Sequence, residues 1–259
     1  MCSISPTNRG TMRPAFFRSA FAVPAVLVVL AGWSATIHAA DAVRLAPFGS
    51  DTTRSWSAEA DVTTYREGGK VETATWSIAI ERTPSGETRT FRVTKGKNEG
   101  DVYRAKRSGE GTTAPVTRDH TRTKPGKTAT LESLDADDLF AGTVFSFRDL
   151  DGGYEDWPAV STLTSARVDG QPVTTIEAAR APDAPKRLGS WRFNVLASGV
   201  SIKTERFDRK GRVTREVRLS NFADVDGATF AHKWEARDLG DRSRTIVNLR
   251  DIRFTSAAP

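Results

Sequence analysis

Asp226-Gly227-Ala228-Thr229-Phe230-Ala231-His232-Lys233-Trp234-Glu235-Ala236-Arg237-Asp238-Leu239-Gly240-Asp241 is the stretch that decides the fold class. Phe230, His232, Trp234 and Ala236 recur at every second position, with Lys233, Glu235 and Arg237 between them. That period gives a strand one apolar face and one charged face. Asp226-Gly227 and Gly240-Asp241 are turn signals at its ends, and tight turns make the neighbouring strands antiparallel. Downstream, Val247 and Leu249 share one parity while Ile252 and Phe254 share the other, which a bulge near Arg250 reconciles. Upstream, Ser201 to Phe207 and Arg212 to Phe222 flank Asp208-Arg209-Lys210-Gly211, and Trp191, Phe193 and Val195 alternate with polar residues. Ser161 to Val168 and Val173 to Ala179 flank Asp169-Gly170, another hairpin signal.

The first half follows the same grammar. Trp56, Ala58, Ala60 and Val62 form one strand face, and Trp76, Ile78 and Ile80 another after the Glu67-Gly68-Gly69-Lys70 turn. Pro84-Ser85-Gly86 leads to a third, marked by Phe91 and Val93. Residues 95–127 are rich in Gly, Thr, Lys and Arg, with Val102-Tyr103 their clear apolar pair, so they predict at most one strand within a long solvated loop. That loop would carry Arg118, His120, Arg122, Lys124 and Lys127. Thr128 to Leu134 predicts a strand, and Asp135 can cap a short helix ending at Phe140. The expected fold is mainly β: an antiparallel meander too long to stay flat, which must curl, split or close.

The N-terminus has a different character. Arg9, Arg13 and Arg18 precede the apolar run Phe21 to Leu30, and Ile37-His38-Ala39-Ala40 offers a cleavage point after Ala39 or Ala40. The run is too short to span a bilayer, for which about 20 apolar residues are needed. Residues 1–40 therefore read as a signal peptide and 41–259 as one exported domain. The sole cysteine, Cys2, lies in the signal, so the exported part has no disulfide and no thiolate site. The net charge of +6 falls to +3 once the three signal arginines are removed. Its charges are interspersed, which gives no footprint for nucleic acid.

Catalytic patterns are sparse. His120 and His232 are the histidines of the exported part, and His232 sits on an apolar strand face, where a hydrogen-bonded core role outweighs catalysis. No Gly-x-Ser-x-Gly elbow, P-loop or His-Glu-x-x-His motif is present. Acidic clusters occur at Asp135, Asp137 and Asp138, and at Asp149, Asp151, Glu155 and Asp156. Asp149-Leu150-Asp151-Gly152-Gly153 lacks the remaining ligands of a calcium loop, so these acids are expected in water or at helix caps. A hydrolase built on two of them is the least favoured reading.

Three segments carry a family resemblance: Gly142-Thr143-Val144-Phe145-Ser146-Phe147-Arg148-Asp149-Leu150, Glu205-Arg206-Phe207-Asp208-Arg209-Lys210-Gly211-Arg212, and Phe222 to Gly227 followed by Arg244 to Phe254. In order and spacing they resemble the outer membrane lipoprotein-sorting protein family, the LolA-like periplasmic lipoprotein carriers. The resemblance implies a strongly curved antiparallel sheet, an unclosed barrel, with short lid helices over its open side. It also implies a non-catalytic carrier that holds lipid or lipoprotein acyl chains for delivery to the outer membrane, without a cofactor or metal, as a monomer loaded by an inner-membrane transporter. Strand parity makes Trp76, Ile78, Ile80, Phe91, Phe193, Phe230 and Trp234 the expected cavity-facing residues. The alternative is an envelope sensor or adaptor that docks a membrane protein on the same sheet.

Overall fold

In this computed structural model the residues described are 48–51, 53–108, 116–122, 130–132, 135–152, 159–179 and 188–255. The expected signal peptide and Trp157 lie outside them. The strands are β1 (Ser55–Tyr65), β2 (Val71–Thr83), β3 (Gly86–Gly96), β4 (Val102–Ser108), β5 (Val116–Arg122), β6 (Thr130–Glu132), β7 (Ala159–Val168), β8 (Gln171–Ala178), β9 (Leu188–Val195), β10 (Ser201–Asp208), β11 (Val213–Val225), β12 (Ala228–Asp238) and β13 (Ser243–Thr255), with helix α1 (Phe147–Asp151) between β6 and β7. They form one sheet in the order β6-β5-β4-β3-β2-β1-β13-β12-β11-β10-β9-β8-β7. The fold is thus two meanders, β1 to β6 and β7 to β13, zipped together where β1 pairs antiparallel with β13. The N-terminal strands complete the same sheet as the C-terminal ones.

Local chemistry explains the turns. Asp169 and Gly170 have φ of 49° and 80°, and Asp226 and Gly227 of 50° and 80°. Two successive left-handed residues match the right-handed twist of the strands they join, and Asp-Gly supplies them at low cost. Near Arg250 the β1–β13 register slips between Ser57 and Glu59, and Asp251 takes φ 53°. This irregularity lets Val247 and Phe254, of opposite parity, both pack toward the core.

Two expectations need correction. Residues 95–127 hold two strands, β4 and β5, not one strand in a loop. Their inward positions are Tyr103, Ala105 and Arg107 on β4, and Arg118 and His120 lie on β5. Polar groups on the core side hide the alternation that marks a strand. The helix expected over 135–140 is a turn, closed by Asp138 N–H donating to Asp135 O and by Asp137 N–H donating to the Asp135 carboxylate. The helix forms later, at α1, where Ser146 caps it.

The sheet is open-edged but strongly curved. Seven strand spacings separate β5 from β11, about 34 Å if the sheet were flat. Yet Asp151 and Asp149, two residues apart on α1, pair with Arg118 of β5 and Arg215 of β11. The sheet must therefore curl around the segment that carries them, which runs over its apolar face.

Glycine geometry gives a test. A Cβ on Gly86 (φ 147°) would lie 2.1 Å from the Arg107 carbonyl oxygen of β4, whereas Gly211 (φ 72°) faces open space. Gly211→Ala should cost about 1–2 kcal/mol of left-handed strain. Gly86→Ala should cost clearly more, because β3 and β4 must separate. Urea denaturation of the two variants checks this, and equal losses would refute the close β3–β4 register.

Candidate functional site

The inner face of the sheet is built by parity. Trp76, Ile78 and Ile80 on β2, Phe91 on β3, Phe193 on β9, and Phe230 and Trp234 on β12 are each at most 1% exposed. Six of the seven fall in one cluster with Trp56, Val62, Tyr103 and Val247. Phe193 lies outside that cluster and stacks on Trp191, with ring centroids 6.3 Å apart and planes 9° apart. Trp76 Nε1 is buried without a hydrogen-bond partner among the described residues. Buried polar groups without a partner are uncommon.

A strap, residues 135–152, covers this face. It belongs to the connection from β6 to β7, the two opposite edges of the sheet. Phe140 meets Trp76 edge-on at 5.1 Å, and Phe147 meets Tyr103 at 4.5 Å and His120 at 5.2 Å. Val144, Phe145 and Leu150 are buried with them. One end of the strap is tied to a rim of the sheet. Val144 N–H donates to Thr245 Oγ1 at 2.9 Å, Asn98 Nδ2 donates to the Ala141 carbonyl at 2.6 Å, and Arg66 donates to the Gly142 carbonyl. A crevice of about 20 Å³ between Val62, Ala74, Val93, Asn98 and Thr143 lies at this rim, room for roughly one water.

The opposite end of the inner face has a second cover. Past the Lys233–Asn248 pair, β12 and β13 are no longer paired with each other. Residues 48–50 lie along the freed edge of β12: Ala231 N–H donates to Phe48 O, Ser50 N–H to Thr229 O, and Gly49 bridges Phe230. Phe48 points inward and stacks on Trp234, with centroids 4.2 Å apart and planes 21° apart. It also packs against Trp56 and Phe91. Nothing in the sequence marks Phe48 as a core residue, because its segment has no periodicity. The strap aromatics Phe145 and Phe147 were visible only as part of a family-like segment.

Electrostatics hold the strap. Ser146 and Asp149 form a reciprocal capping box, and Asp149 also pairs with Arg215 at 3.1 Å, both side chains being buried. Asp151 accepts from the Tyr103 hydroxyl at 2.7 Å and from Arg118 Nε. Burial, then the neighbouring Asp151 charge, pushes the Tyr103 phenol far above its ordinary range. Asp137 is less well matched, with Arg148 Nε at 3.6 Å and Arg206 Nη1 at 4.0 Å. Burial raises its carboxyl above the usual value despite these two guanidiniums. Burial, then Arg215, lowers the Arg206 guanidinium in turn. Asp137, Asp149 and Asp151 are buried rather than in water, and Asp149 takes the helix-cap place that was the other expectation for these acids. Arg118 and His120 likewise face the strap rather than solvent. Carboxylates paired with guanidiniums and a phenol clamp the strap to the sheet.

A family model described only as an uncharacterized protein matches residues 124–259. No curated protein matches. Among solved structures, a DUF1329 family protein from Desulfovibrio piger is similar at 15% identity and a TM-score of 0.68, covering 81% of this chain and 89% of that one. A domain classed as an outer membrane lipoprotein-sorting protein, from Vibrio parahaemolyticus, is similar at 16% identity and 0.68, with the same coverage. A LolA superfamily protein from Nitrosomonas europaea is similar at 12% identity and 0.57, again covering 81% and 89%. At these identities the likeness is one of fold.

Asp137 and Asp149 should respond oppositely to neutralisation. A carboxyl whose pKa is raised on folding contributes stability below its unfolded pKa, and loses that contribution as pH rises through the folded pKa. Asp137→Asn should therefore raise the Tm at pH 7, with a gain that shrinks as pH falls toward 4; each kcal/mol is about 2–4 °C for a chain this long. Asp149→Asn leaves Arg215 buried without its counter-charge and should lower the Tm. Thermal scans across pH decide this, and a loss for Asp137→Asn at every pH would contradict the burial argument.

Proposed function

We propose that this chain, a member of the uncharacterized family whose model matches residues 124–259, is a non-catalytic periplasmic carrier that holds lipid or lipoprotein acyl chains against its inner face for delivery to the outer membrane. The observation that carries the reading is the inner face itself. Large apolar side chains from both meanders converge there, and non-sheet segments, the strap and residues 48–50, cover them. Such a cover can be exchanged for cargo without breaking the strand ladder. The neighbour classed as an outer membrane lipoprotein-sorting protein supports the same class of cargo and the periplasmic setting. The cargo side chains are Trp76, Ile78, Ile80, Phe91, Phe193, Phe230 and Trp234. The donor is an inner-membrane transporter, and the protein acts as a monomer.

The energetics suit transport rather than storage. Each methylene taken from water is worth about 0.8 kcal/mol, but cargo here replaces the protein's own Phe140, Phe147 and Phe48 rather than water. Only the difference shows as affinity, and release follows when the covers return. Native mass spectrometry of protein isolated from the cell envelope, with extraction of any bound lipid, tests this. A population heavier by one or two acyl-bearing molecules is expected, together with saturable uptake of a fluorescent fatty acid. A clean apo mass with no uptake would refute the carrier reading.

A further inference from the structure

β12 and β13 part at one end of the sheet, and what fills the gap is not a strand of either meander. Their register runs from Asp238–Ser243 to Lys233–Asn248 and stops. Beyond it β12 keeps its pairing to β11 through Val225–Ala228, while β13 pairs with β1 through Ser55–Thr255. The irregularity opposite Ser57 and Glu59, with Asp251 at φ 53°, turns β13 away. The freed edge of β12 is taken by residues 48–50, with Gly49 so close to Phe230 that an added Cβ would lie 3.1 Å from its ring.

Phe48 enters the inner face through this seam. Its surroundings form an aromatic slot: Trp234 stacks on it, Trp56 and Phe91 meet it edge-on, and Trp56 itself meets Phe230 at 5.2 Å. The outer wall of the slot is Phe254, 5.6 Å from Phe230, with the Arg54 guanidinium 3.5 Å over its ring. The same end of the inner face carries Arg82 and Arg89, which share Glu87. Arg82 also donates to the Arg54 carbonyl at 2.6 Å, so these guanidiniums stand at the mouth through which Phe48 passes.

We propose that the Phe48 slot is a subsite for a single alkyl chain bearing an anionic head group, a fatty acid being the simplest, and that residues 48–51 are its resident competitor. The inference rests on the carrier reading and adds to it the place of entry, the ligand class and an internal occupant. Phe48 supplies an apolar group where the alkyl chain would lie. Asp51 supplies a carboxylate at the mouth, accepting from the backbone N–H of Thr53 and Arg54 and from the Arg54 side chain. Burial pushes that carboxyl up, but these hydrogen bonds outweigh it and hold it well below the usual carboxylate range. The arm therefore presents an apolar group and a fixed negative charge three residues apart, the two parts of a fatty acid. A ligand that carries both can replace it between the aromatic slot and the cationic mouth. The arm is tied to β12 by two backbone bonds and by Thr229 N–H donating to the Ser50 hydroxyl, and to β2 by Arg82 donating to the Asp51 carbonyl at 3.4 Å, so it can leave while the thirteen-stranded sheet stays paired.

The test is a fluorescence titration with cis-parinaric acid. Two variants are used: Phe48→Ala, and Ser50→Cys with Thr229→Cys in a Cys2→Ser background, which locks the arm to β12 when oxidised. Ser50 and Thr229 face each other across the arm's hydrogen bonds, within the usual span of a disulfide. The expected results are at least fivefold tighter binding by Phe48→Ala, and loss of uptake by the oxidised double-cysteine protein that returns on reduction. Uptake by Phe48→Ala alone would also support the subsite. If the parent protein binds the probe while locking changes nothing and Phe48→Ala is no tighter, the subsite is overturned and the carrier reading stands. If no form binds the probe, both fall. The locked protein keeps Phe48 in place, so its result holds even if Phe48→Ala fails to fold.

Discussion

The strap's buried carboxylates are the constraint from which the rest of the structure follows. A meander that begins at β1, runs out to β6, restarts at β7 and returns to β13 leaves β6 and β7 at opposite edges of one sheet. The connection between them has to cross a face. It crosses the apolar one, and it can do so only if its polar groups are satisfied there. Arg215, Arg118 and Tyr103 supply those partners from strands that a flat sheet would hold far apart. Curvature, cover and ion pairs are therefore one feature. The capping box at Ser146 and Asp149 sets a helix of only five residues at the crossing, too short to be stable alone and held by what it touches.

The same arrangement explains how a greasy inner face is kept from water. A closed barrel would seal its interior by strand pairing and would have to break backbone bonds to admit a long molecule. An open curved sheet instead uses side chains as a seal. Phe140 and Phe147 close one end from the strap, and Phe48 the other from the N-terminal arm. The Phe48 seal rests on aromatic contacts, each worth about a kcal/mol beyond its buried area, whereas the strap seal is held by its buried ion pairs as well. Asp137, with its guanidinium partners at 3.6 and 4.0 Å, is the least well satisfied of the strap's buried carboxylates.

The sequence made the sheet legible and the covers obscure, for one physical reason. Strands announce themselves by alternation, so β12 could be read from Phe230, Trp234 and Ala236, and its turns from Asp-Gly pairs. Where the inward positions are polar, as at Arg118 and His120 on β5, alternation disappears and a strand reads as a loop. Arg118 pairs with the strap's Asp151, and His120 packs on the strap's Phe140 and Phe147, long-range contacts that no local pattern encodes. The burial of Asp149 and Asp151 was hidden for the same reason, although a helix cap was among the places expected for them. Phe48 was invisible because a lone aromatic in an aperiodic segment carries no signal, and its partners Trp56, Phe91 and Trp234 come from three different strands. The seven parity-selected residues lie buried on the inner face, whereas Phe147 and Phe48, which pack against that face, carry no parity signal of their own.

The central claim is that the inner face is where an acyl chain lies. Photo-crosslinking with a diazirine-bearing fatty acid, followed by peptide mapping, addresses it most directly. The account predicts adducts on inward residues of β2, β3 and β12, such as Trp76, Phe91 and Trp234, that are competed by excess fatty acid. Adducts confined to outward positions such as Arg92 and Arg104, or labelling that excess fatty acid does not reduce, would contradict it.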